Sequence, residues 1–173
     1  KMFEASGKFE EAIALSLKAL EYSRKSNIEI LNPKIFAELT RQYASIGDLK
    51  KANHYFDLLM KIPPKILSNP NNALWVAVSE AVLFAARGQW EEAKQSFQKA
   101  FELSRKGMFQ HLNVESILRK IYIWALELQG ETEEAEIQRK RIQESLFVKF
   151  AQRTARRFFK KPVAYIIGNG IIL

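Results

Sequence analysis

At 173 residues with 47% hydrophobic content, the chain can fold as one domain or as about four to five two-helix units, and wholesale disorder is excluded. It has no cysteine, which rules out a disulfide framework and a thiolate zinc site, and no apolar run approaches the roughly 18 residues that a bilayer span requires. The formal net charge is +8, but residues 146–173 hold Lys149, Arg153, Arg156, Arg157, Lys160 and Lys161 and no acid, so residues 1–145 carry only +2. Any attraction to nucleic acid or an anionic membrane must therefore rest on the tail.

In chain order, apolar periodicity predicts helices over 9–26, 34–46, 48–61, 73–87, 89–106, 112–129 and 131–144, followed by a further helix over 146–160. The helix over 34–46 places Phe36, Leu39 and Tyr43 on one stripe, and the helix after it answers with Ala52, Phe56 and Leu59. Pro63 and Pro64 stop that second helix, because proline lacks the donor the preceding turn needs. The segment from Ala73 to Ala86 is apolar nearly all round, interrupted by Ser79 and Glu80, so more than one of its faces must be covered.

A repeat organises these elements. Gly7-Lys8-Phe9-Glu10-Glu11-Ala12, Gly47-Asp48-Leu49-Lys50-Lys51-Ala52, Gly88-Gln89-Trp90-Glu91-Glu92-Ala93 and Gly130-Glu131-Thr132-Glu133-Glu134-Ala135 share one pattern, with the glycines 40, 41 and 42 residues apart. In each unit the glycine permits the left-handed turn between two helices, and the alanine lets those helices approach closely. The Glu pairs at 10–11, 91–92 and 133–134 fall in the first turn of each returning helix, where negative charge offsets the helix dipole.

These residues resemble the tetratricopeptide repeat. The second unit (about 33–64) carries Phe36, Leu39, Tyr43, Gly47, Ala52, Phe56 and Pro64. The third (about 74–106) carries Phe84, Gly88, Trp90, Ala93, Phe97 and Ala100. The first is expected to be truncated, with Phe3 at the second aromatic position and residues 1–6 as the end of a first helix. The fourth (about 116–145) keeps Gly130 and Ala135 but has Thr132 and Arg139 where large apolar residues are usual. The period exceeds the family's usual length of about 34 residues, as in long-period variants, several of which are sensor or partner-binding arms of larger signalling proteins.

The resemblance implies an all-α fold: a right-handed superhelical solenoid of antiparallel hairpins over 1–145, followed by a basic amphipathic helix over 146–161 and an apolar tail over 162–173. It also implies a concave face lined by the first helix of each hairpin. The inner positions are Lys34, Ala37, Arg41 and Ala44 in the second unit, Trp75, Val78, Val82 and Ala85 in the third, and Ile117, Lys120, Trp124 and Glu127 in the fourth. The family's clamp for the C-terminal carboxylate of chaperone tails is not reproduced, because Ala37, Val78 and Val82 stand where it needs polar groups. A partly apolar peptide or helix is the better match.

The tail has three candidate roles. Phe147, Ala151, Ala155 and Phe158 lie near one helical face and the basic residues on another, which suits a capping helix. Arg153, Arg156, Arg157, Phe158, Phe159, Lys160 and Lys161 also suit an anionic membrane surface or nucleic-acid phosphates. The uncharged segment 162–173 is a candidate for self-association.

Catalytic signals are sparse. His54 lies beside Asn53 on a polar face and His111 in a loop, neither with a metal-spaced partner, and Gly168-Asn169-Gly170 reads as a turn. No motif calls for a cofactor or a metal, and no enzyme activity is expected. The expected function is a cytoplasmic scaffold that binds a protein or peptide in its concave groove. The alternatives are a ligand-sensing or regulatory arm of a larger signalling ATPase or transcription regulator, and a membrane-associated adaptor acting through the basic helix.

Overall fold

A computed structural model describes residues 2–28, 31–105 and 114–144. Every regular element among them is helical: α1 (Met2–Lys25), α2 (Asn32–Ser45), α3 (Leu49–Met60), α4 (Pro64–Leu67), α5 (Pro70–Ala86), α6 (Trp90–Arg105), α7 (Val114–Gln129) and α8 (132–144). The chain is therefore all-α over these residues. The expected helix over 146–160, the tail over 162–173 and His111 lie outside the described residues.

One turn recurs at three of the four repeat glycines. At the end of α2, Gly47 N donates to Ala44 O at 3.1 Å and Asp48 N to Tyr43 O at 3.0 Å. The same pair closes α5, through Gly88 to Ala85 and Gln89 to Phe84, and α7, through Gly130 to Glu127 and Glu131 to Leu126. This double bond is the Schellman motif, which needs a left-handed residue at its pivot. Gly47, Gly88 and Gly130 supply it with φ of +82°, +75° and +82°. The returning helix starts at once, since Ala52, Ala93 and Ala135 donate to the residues just after those glycines, Asp48, Gln89 and Glu131. Asp48 also caps α3, its Oδ1 accepting from Lys51 N at 3.0 Å.

Gly7 behaves differently. It lies inside α1, which runs unbroken from Met2 to Lys25, so the expected turn there and the separate first helix over 1–6 are both corrected. Glycine in a helix interior costs only about 1 kcal/mol relative to alanine, so the motif at Gly7 can continue as helix.

The linker after α3 also departs from expectation. Pro64 opens the one-turn helix α4, and Pro70 opens α5 three residues earlier than the periodicity predicts. Both prolines occupy the first helical turn, where a missing N–H costs nothing. Asn69 caps α5, its Oδ1 accepting from Asn71 N at 3.0 Å. This segment accounts for part of the long period.

The signature residues form the core. Leu39, Ala52, Leu59, Ala93, Phe97 and Ala100 are fully or almost fully buried, and Phe36 and Tyr43 are buried beside them. Consecutive helices pack as pairs, α2 with α3 and α5 with α6, while α2 and α7 both pack against α5. Tyr43 stacks on Tyr55 of α3, with ring centroids 5.6 Å apart.

Candidate binding face

The first helices of successive pairs, α2, α5 and α7, lie side by side, with α5 in the middle. That position decides which of the residues expected on the inner face stay open. Ala37, Val78 and Val82 are 3%, 1% and 0% exposed. They are core residues with no surface to offer a partner, and their assignment as contact residues is corrected. Ala44 and Ala85 are buried as well. The cause is side-chain size: Ala37, Ala44, Ala77, Ala81 and Ala85 are all buried, and small residues let helix axes approach until the groove between them closes.

Polar side chains tie the layer together. Ser79 Oγ donates to Trp75 O at 2.8 Å within α5 and lies 3.3 Å from Ala37 O on α2. Gln129 Nε2 donates to Ala85 O at 3.1 Å, joining α7 to α5. Gln42 Nε2 donates to Ser16 Oγ at 3.0 Å, joining α2 to α1.

The remaining residues expected on the inner face are accessible. Lys34 and Lys120 are exposed, Ile117 is 45% exposed, and Arg41, Trp75 and Trp124 are half-buried. Both tryptophans pack one side against the core. Arg41 pairs with Glu38 one turn earlier, while its buried Nε has no hydrogen-bond partner among the described residues. Glu127 instead ion-pairs with Arg139 of α8. Arg153, Arg156, Arg157, Phe158, Phe159, Lys160 and Lys161 lie outside the described residues.

No protein-family model, curated protein or solved structure matches this chain.

Two recesses lie away from this layer, and the sequence pattern gave no sign of either. One, of about 390 Å³, opens between α6, α7 and α8, where Arg119 sits over the Phe101 ring at 5.5 Å and also contacts Gln138 and Glu115. Tyr122 lines it, its phenol pushed above the usual tyrosine range first by burial and then by the Glu134 carboxylate. The other, of about 330 Å³, is walled by Met60, Ile62, Pro64, Leu67, Ala73 and Val76, with Glu80 and Lys99 also in its lining. It exists because the long linker folds back over α5. Neither recess borders Trp75.

Among the described residues no three His, Asp or Glu side chains gather as a metal site would require. No described helix is long and apolar enough to cross a membrane. His54 is exposed on α3, edge-on to Tyr55 at 5.2 Å.

Proposed function

We propose that the chain is a tetratricopeptide-like solenoid whose inner layer binds a segment of a partner protein. The observation that carries this reading is the set of open residues left around the closed middle helix. Two half-buried tryptophans, Trp75 and Trp124, stand at inner-face positions with Lys34, Arg41, Ile117 and Lys120. Half-buried aromatics fixed from behind lose little entropy on binding and are frequent interface anchors. The cations add a preference for acidic side chains or a backbone carbonyl. The preferred partner segment is thus apolar with acidic flanks, docked as a helix or an extended strand.

Three recurrent Schellman turns in one register and the burial of the signature alanines support the repeat assignment. The right-handed superhelix belongs to the same proposal.

Affinity purification with the whole chain as bait tests the reading. Lys34→Glu combined with Lys120→Glu changes only exposed side chains, so the fold is preserved while recovery of the partner falls by roughly tenfold or more. Unchanged recovery by the folded double variant would overturn the assignment. Trp75→Ala and Trp124→Ala are less clean, because each also removes packing from the core.

A further inference from the structure

The recess between α6, α7 and α8 stands apart from the inner layer. By helical spacing, Arg119 and Tyr122 leave α7 on the side opposite Ile117, Lys120 and Trp124. Arginines from three helices line it: Arg105 from the last turn of α6, Arg119 from α7 and Arg141 from α8.

Arg119 is held from several sides. Its guanidinium lies over the Phe101 ring at 5.5 Å, one terminal nitrogen donates to Gln138 and the other to Glu115, and its side chain is only 15% exposed. Gln138 is fixed in turn, its Nε2 donating to Glu134. Each terminal nitrogen of Arg119 keeps a second hydrogen to donate. Arg105 and Arg141 are exposed and have no ion-pair partner among the described residues. Lys94, paired with Glu91, is a fourth cation in the lining, and Glu102 and Glu134 are its acids. Cations therefore outnumber carboxylates, and the recess favours an anion.

The kind of anion follows from the donors. Arginine presents a planar fork that binds oxyanions through paired hydrogen bonds. Three forks at one recess exceed what the two oxygens of a carboxylate can take up, whereas a phosphate group offers at least three oxygens. The volume of about 390 Å³ lies at the small end of ligand cavities, roughly 300–1,000 Å³, which suits a small molecule better than a chain segment. Phe101 and Tyr122, both partly buried, give its body an apolar wall.

We infer that this recess binds a small phosphate-bearing molecule, with Arg119 as the fixed donor and Arg105 and Arg141 completing the set.

Calorimetric titration of the whole chain with pyrophosphate at moderate salt tests the inference. The six basic residues between Lys149 and Lys161 attract any anion, so binding is compared between variants that lose equal charge. The wild type binds pyrophosphate saturably. Arg105→Gln with Arg141→Gln weakens this by roughly tenfold or more, while Lys34→Gln with Lys120→Gln leaves it unchanged. All four positions are exposed, and circular dichroism checks that both variants fold. Citrate, with a similar charge spread over carboxylates, binds at least roughly tenfold more weakly than pyrophosphate. Absence of saturable binding overturns the inference. So does an equal loss in the two variants, no loss in the arginine variant, or citrate binding as tightly as pyrophosphate.

Discussion

Gly88 shows how much one residue decides. A Cβ built there meets nothing within 4 Å, yet φ is +75°. The cost of Gly88→Ala is therefore backbone strain alone, about 1–2 kcal/mol. Gly88→Asn should cost less, since asparagine tolerates the left-handed region, and urea denaturation of the two variants measures the difference. Asp48 makes a second case. The backbone N–H of Lys51 and then the Lys51 ammonium hold its carboxyl below its ordinary value of 3.8. Because the folded value is the lower one, the stabilisation is complete above 3.8 and fades as pH falls through the folded value. Asp48→Asn keeps a capping oxygen but removes this titration, so its unfolding midpoint should change less than that of the wild type between neutral pH and pH about 3.

At the scale of elements, α5 explains both what was legible in the sequence and what was not. Glycine spacing and apolar stripes were enough to place the helix pairs, because each turn uses strictly local chemistry at Gly47, Gly88 or Gly130. Gly7 shows the limit of that signal, since the same motif stays helical inside α1. The all-round apolar character of α5 showed that several faces must be covered but not by what. Flanking by α2 and α7 is a long-range fact, and it turned Val78 and Val82 from surface into core. α4 escaped notice because Pro64 reads equally well as a stop or as the start of a new turn. The close approach of α5 to its neighbours yields a sharp expectation. Ala81 is fully buried, so Ala81→Leu should destabilise the fold by about 1–3 kcal/mol through overpacking, whereas the same change at exposed Ala19 should leave the fold's stability nearly unchanged. Chemical denaturation of both variants gives the comparison.

At the scale of the whole molecule, the proposed function assigns partner binding to the layer formed by α2, α5 and α7. The central claim is that the inner layer is the binding face. Its most direct test is site-specific photo-cross-linking of the whole chain in a lysate of the source cells, with a benzophenone side chain at Ile117 on α7 or at exposed Gln95 on α6. A discrete cross-linked partner is expected from position 117, lost when Lys34→Glu and Lys120→Glu are added, and none from position 95. Equal capture from both positions, or capture at 117 that ignores the charge reversals, would contradict it.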